Sequence, residues 1–202
     1  MFLDRLTFRK KAFGYYLLGS FIIIVFNQLG QIPLLFSIPS DIIIEPDSNP
    51  MDIIKSIPSN LRLFLILLAS LITVPGIWLV VVKLHELSFK SIVTKRKKVD
   101  YNRIIFSFLL WGVLITTFVI IGYFISPENY EFNFKLKEFL ILSVIAILLI
   151  PVQTTVEELV FRGYLMQGFG GLFNSRLLAL FLTSIIFGGL HLINPEVEAL
   201  GY

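Results

Sequence analysis

Long uncharged apolar runs, separated by short charged segments, set the pattern of this chain. Five of them are long enough to cross a bilayer, which takes about 20 residues of helix. They cover residues 12–40, 64–82, 104–127, 139–156 and 177–195. The first is too long for the apolar part of a signal peptide and has no small-residue cleavage site, so it reads as a retained span. The pattern predicts an all-α fold: a polytopic membrane helical bundle with about five transmembrane helices. Pro75 and Gly76, inside the second run, are expected to kink it, because proline removes a backbone donor.

The charges between the runs alternate. Arg5, Arg9, Lys10 and Lys11 precede the first span. Lys90, Lys95, Arg96, Lys97, Lys98 and Arg103 lie between the second and third. The segment between the first and second carries Asp41, Glu45, Asp47 and Asp52 against Lys55, and the segment after the third is mixed. By the positive-inside rule the N-terminus is cytoplasmic, with five crossings and the C-terminus outside. The KRKK run reads as a topology determinant. His85, at a cytoplasmic helix end, reads as an interfacial residue with no catalytic duty.

Composition sharpens this picture. Hydrophobic residues make up 56% of the 202 and charged residues 15%, against about 25% charged in soluble domains. Mean hydropathy is +0.84. There is no cysteine, which excludes disulfides, thiolate nucleophiles and cysteine metal sites, and there are two histidines, His85 and His191. The net charge of +3 sits beside apolar runs, where it suits a membrane surface rather than nucleic acid.

Residues 154–169, TTVEELVFRGYLMQGF, break the apolar pattern. Glu158 and Arg162 are four apart, share one helix face and can pair. Glu157 points about 100° away and needs a polar cavity, a proton or another partner. A charge at the bilayer centre costs about 2.5–3.5 kcal/mol on insertion scales. One reading is that the helix has reached the interface, since Phe139 to Glu157 is eighteen steps, about 27 Å. The other is that the charges interrupt a span, because Leu159, Val160, Phe161, Tyr164, Leu165, Met166 and Phe169 carry the apolar pattern on. Pro151, six residues before Glu157, favours a position buried among helices.

His191 lies in the second half of the last run, one turn after Phe187, and is either a hydrogen-bonded packing residue or part of a site. Gly188 and Gly189 would allow close approach. The glycine-rich stretch GFGGLFNS, residues 168–175, is the expected hairpin turn, with Asn174 or Ser175 as a helix cap. Counted from its middle, Glu157 and His191 differ in depth by on the order of 7 Å. A carboxylate facing an imidazole in a wet intramembrane pocket suits peptide hydrolysis with water as nucleophile.

Glu157-Glu158-Leu159-Val160-Phe161-Arg162 reads as EExxxR, and Phe187-Gly188-Gly189-Leu190-His191 as FxxxH. In this order, on consecutive spans, they resemble the CPBP family of intramembrane proteases. That family includes the type II CAAX prenyl endopeptidases and the Abi proteins of bacteriocin self-immunity. The resemblance covers roughly residues 139–202, leaving 1–138 as an N-terminal region of three generic spans. It implies an intramembrane metalloendopeptidase in which Glu157 activates water and Glu158 and Arg162 hold the cavity in shape. His191 would ligate a metal or stabilise the tetrahedral intermediate. The implied cofactor is a divalent metal such as Zn2+. The implied partners are the lipid bilayer and a peptide or protein substrate, prenylated CAAX substrates being one choice. The implied location is a bacterial plasma membrane, crossed several times.

The family's further motif, a histidine followed four residues later by Asn or Asp, is not found here; Asn194 comes one residue too early after His191. The expectation is therefore a protease core incomplete at its C-terminus and inert by itself. The alternative is a non-catalytic immunity or scaffold protein of the same family. A proton or metal-ion carrier ranks third, because one acidic pair offers no relay across the other spans.

Overall fold

The computed structural model describes residues 13–39, 50–93 and 99–192. Arg5, Arg9, Lys10, Lys11, Asp41, Glu45, Asp47, the basic residues 95–98 and Asn194 lie outside them. Every regular element among the described residues is helical. Helix α1 is Gly14–Leu35 and α2 is Pro50–Lys55. Helix α3, Ser59–Leu79, runs on into a widened π-helical turn, Val80–Leu84. Next come α4, Lys90–Val93, and α5, Tyr101–Ile125. Helix α6, Leu136–Glu158, continues through a second π-helical stretch, Leu159–Leu165, into α7, Met166–Phe173. Helix α8 is Arg176–Leu192.

Four helical stretches are long and apolar enough to cross a membrane: Gly14–Leu35, Ser59–Leu84, Tyr101–Ile125 and Leu136–Phe173. The protein is a polytopic helical membrane bundle, as its apolar pattern predicts. The fifth expected span is described as a helix of 17 residues, somewhat short of the usual requirement of about 20. The fourth departs further. Instead of ending near residue 156 it continues as one rod of 38 residues, about 57 Å long at 1.5 Å per residue. That overruns a hydrocarbon core of about 30 Å.

The same departure corrects the hairpin. Residues 168–173 are not a turn; they complete α7. Helical glycine is costly when exposed, but Gly168 and Gly170 are buried, and a Cβ on Gly168 would overlap the ring of Tyr16. Glycine is there for close approach. The reversal takes two residues: Asn174 adopts the left-handed conformation at φ 48, which asparagine tolerates well. Ser175 Oγ then accepts from the Leu178 N–H at 3.3 Å, opening α8.

Two polar contacts fix the bundle's direction. Asn60 Nδ2 donates to the Glu138 carbonyl at 3.1 Å near the start of α3 and α6. His85 Nε2 meets Tyr164 Oη at 2.9 Å near their other end. The two rods therefore run parallel. Helix α1 packs against α3 in the opposite direction, with Gly19 beside Val80 and Gly30 beside the Ala69 backbone. Tyr16, Ile23, Ile77, Val80, Val81, Ile92, Val156, Leu159 and Tyr164 form the main buried cluster. Helix α5 is started by Asp100, whose Oδ1 accepts from the Arg103 N–H at 3.3 Å. It buries no residue and presents apolar side chains all round, as a lipid-contacting helix does.

Two local expectations change. Pro151 is exposed rather than buried among helices; beside it, Thr155 Oγ1 donates to the Pro151 carbonyl at 2.6 Å. Pro75 stays within α3, and the irregularity falls later, in the π turn Val80–Leu84.

The α1–α3 seam combines a close backbone approach with a buried polar bond. Thr73 Oγ1 donates to the Ala69 carbonyl at 2.7 Å and accepts from Asn27 Nδ2 at 3.2 Å. Thr73→Val, which keeps the shape and removes both bonds, is expected to lower stability by about 0.6 kcal/mol, the measured average for hydrogen bonds between membrane helices, and by no more than about 1.7 kcal/mol, the measured maximum. Gly30→Leu, which drives a side chain into the Ala69 backbone, is expected to cost more than Thr73→Val. Equilibrium unfolding in mixed detergent micelles measures both.

Candidate functional site

Glu157 lies in the last turn of α6 and is half-buried. Four residues earlier, Gln153 Nε2 donates to Glu157 Oε1 at 3.1 Å, so Glu157 has a neutral partner on its own helix. The sequence reading missed this amide, although i,i+4 spacing signals it. Gln153 fixes one carboxylate oxygen and leaves the other to accept from a water or a substrate. Glu158 and Arg162 do pair, Oε2 to Nη1 at 3.1 Å, with side chains 56% and 68% exposed. Where water reaches it, such a pair is worth only about 0–1 kcal/mol; it cancels charge and holds two long side chains together rather than anchoring the fold.

His191 is the penultimate residue of α8 and is exposed. Its Nδ1 lies 2.8 Å from the Phe187 carbonyl. A carbonyl only accepts, so Nδ1 carries the hydrogen in this bond, and Nε2 is the nitrogen available for other chemistry. A backbone bond of this kind sets the tautomer and aim of functional imidazoles. The ring also packs on Phe187, with centroids 4.3 Å apart.

The depth of these groups follows from the hairpin. Phe161 and Phe187 meet edge to face, with centroids 4.9 Å apart. Four residues back along the first rod from Phe161 is Glu157. Four residues on along α8 from Phe187 is His191, in the same axial direction. Glu157 and His191 therefore lie at one level, and the 7 Å mismatch expected from a glycine turn disappears because that turn is helical. No hydrogen bond joins the two among the described residues.

The level lies inside the bundle's apolar zone. Tyr164 is beside Tyr16 in the first turn of α1, with ring centroids 5.1 Å apart, and Glu157 is seven residues deeper, on the order of 10 Å. The reading in which the helix has simply ended at the interface is thus disfavoured: the rod runs past the charges and buries Leu159, Gly163, Tyr164, Gln167, Gly168 and Gly170 beyond them.

No group of three or more His, Asp or Glu able to hold a metal ion exists among the described residues. An open zinc site normally takes three protein ligands. Glu157 and His191 by themselves do not make up that set.

His85 corrects an expectation. It sits at the helix end as expected, but it is not open to the surroundings: it is buried, 7% exposed, and bonded to Tyr164. The residues after it, Glu86 at φ 57 and then Leu87, Phe89 and Ile92, fold back over the core.

Residues 136–202 match the family described as type II CAAX prenyl endopeptidase, Rce1-like. This segment is Rce1-like. The match begins at Leu136, the first residue of α6, and holds both motifs, so the resemblance carried by EExxxR and FxxxH is borne out. An uncharacterized Bacillus subtilis (strain 168) protein, YyaK, is 33% identical over 173 residues, which is 84% of this chain. The chain spans 58% of that relative's length. No solved structure matches the chain.

The register of the Rce1-like hairpin can be read by cross-linking, since the natural chain has no cysteine. Phe161→Cys with Phe187→Cys is expected to form a disulfide readily in membranes. Phe161→Cys with Leu182→Cys, the pair a turn centred in 168–175 would bring level, is expected to remain reduced. Gel mobility after mild oxidation distinguishes them.

Proposed function

We propose that this protein is an intramembrane endopeptidase of the CAAX-protease type, hydrolysing a peptide bond with a Glu157-activated water. The observation that carries the reading is the shared level of Glu157 and His191, a carboxylate and an imidazole each held by a hydrogen bond within its own helix. The Rce1-like match of the same segment supports it.

The chemistry follows from the groups. Glu157, held by Gln153 through one oxygen, takes a proton from water as the water oxygen attacks the scissile carbonyl carbon. His191, with Nδ1–H tied to Phe187, turns Nε2 toward the reacting atoms; as imidazolium, Nε2–H donates to the oxyanion of the tetrahedral intermediate. Collapse of that intermediate breaks the C–N bond, and Glu157 returns its proton to the departing amine. Glu158 and Arg162 pair with each other, which leaves Glu157 as the carboxylate of the EExxxR stretch free to take the proton.

The substrate class proposed is a peptide or protein segment presented at the membrane, prenylated chains among them, in a bacterial plasma membrane as the Bacillus relative suggests. A second reading, a non-catalytic immunity or scaffold protein, draws on one observation: no group of three or more His, Asp or Glu able to hold a metal ion is found among the described residues.

Glu157→Gln and His191→Ala are each expected to lower cleavage of a membrane-reconstituted peptide substrate by about 10²–10⁴-fold, the usual contribution of general acid–base groups. Glu158→Gln is expected to cost less. Mass spectrometry of the products is the measurement. Full cleavage by the Glu157→Gln/His191→Ala double variant sinks the protease reading, and a protective phenotype that survives in that variant favours the scaffold.

A further inference from the structure

The two widened helical turns among the described residues meet at one buried polar contact. Val80–Leu84 ends at His85, whose N–H reaches back to the Val80 carbonyl at 3.0 Å. Leu159–Leu165 carries Tyr164. The side chains meet with His85 Nε2 2.9 Å from Tyr164 Oη. Tyr164 Oη also lies 3.2 Å from the Tyr15 carbonyl and 3.4 Å from the Tyr16 carbonyl. Carbonyls only accept, so the hydroxyl donates to them, and with its proton so used His85 Nε2–H donates to the hydroxyl. A directed chain thus runs from α3 through the EExxxR rod to α1.

The surroundings hold this chain in place. Tyr164 is 1% exposed. The Tyr16 ring packs on His85 with centroids 4.9 Å apart. A Cβ on Gly19 would overlap Tyr164 Oη, so the hydroxyl lies directly on the α1 backbone. On the other side of the widened stretch, buried Gly163 faces the Ile92 carbonyl at the end of the folded-back loop.

A π-helical stretch carries extra residue per turn, which rotates everything before it relative to everything after it. Such turns are rare and concentrate at functional sites. Here the stretch begins immediately after Glu158 and includes Arg162 and Phe161. What fixes its winding therefore fixes how Glu157 is aimed relative to the Phe161–Phe187 contact, and hence relative to His191.

We propose that His85 and Tyr164 are positioning residues, which lock the widened turn so that Glu157 faces the α8 imidazole. The inference rests on the protease reading for its catalytic consequence, though the lock itself can be measured without activity. Tyr164→Phe keeps the ring and removes all of the hydroxyl's hydrogen bonds. His85→Gln places an amide donor near the position of Nε2, whereas His85→Leu places none.

The test uses the full chain in liposomes, at a temperature where each variant remains folded by circular dichroism. Cross-linking between Phe161→Cys and Phe187→Cys reports the winding, and turnover of the cysteine-free chain reports its use. Tyr164→Phe and His85→Leu are expected to slow cross-linking several-fold and to lower kcat about tenfold with KM within twofold, while His85→Gln restores most of both. That separates positioning from mere packing, which would lower thermal stability and leave both rates of the folded protein alone. Cross-linking at the wild-type rate in both Tyr164→Phe and His85→Leu overturns the proposal. Slowed cross-linking, in a protein whose Glu157→Gln variant cleaves as well as wild type, upholds the lock and removes the protease reading instead.

Discussion

The edge-to-face contact of Phe161 with Phe187 is the hinge on which the site depends. It sets where along the long α6–α7 rod the returning helix α8 lies, and thereby the level of every chemical group on it. Neither ring does chemistry. Their contact nevertheless places the acid of one motif and the imidazole of the other one turn away on the same side. A slip of one turn at this contact would leave FxxxH and EExxxR at different depths, and polar groups without partners at membrane depth are costly.

Lipid gives the rest of the bundle its character. Apolar side chains gain little from leaving hydrocarbon for one another, so helix association relies on close backbone approach and on polar bonds between helices. Gly30 against Ala69 and Asn27 against Thr73 supply these along α1 and α3. Gly19 and Gly168 admit two tyrosines at the other end. The aromatic and histidine cluster there is the point where α1, α3 and the EExxxR rod are tied together, close to the residues whose aim matters.

Much of this was legible in the residues. The uncharged runs gave the helices, and the i,i+4 spacing of Glu158 and Arg162 gave their ion pair. The two motifs pointed to the segment that proves Rce1-like. The misreadings share a cause. Local propensity predicts a turn for the glycines in residues 168–173, and the backbone that Pro151 frees predicts burial among helices. Packing of Gly168 against Tyr16 favours helix there instead, and tertiary contact routinely overrides propensity. His85 was read from its place at a helix end, but its partner lies 79 residues away, a distance that one-dimensional periodicity cannot cross. Gln153 was within reach of local reasoning and was the more readable omission.

The central claim is that Glu157 and His191 face each other across the gap between two adjacent helices. Spin labels at Glu157→Cys and His191→Cys in liposomes measure that separation directly, on a background with no native cysteine. The account predicts strong dipolar broadening, with labels on the order of 10 Å apart, the spacing of packed helices. Labels that show no dipolar broadening, about 20 Å or more apart or two helical diameters, would contradict it.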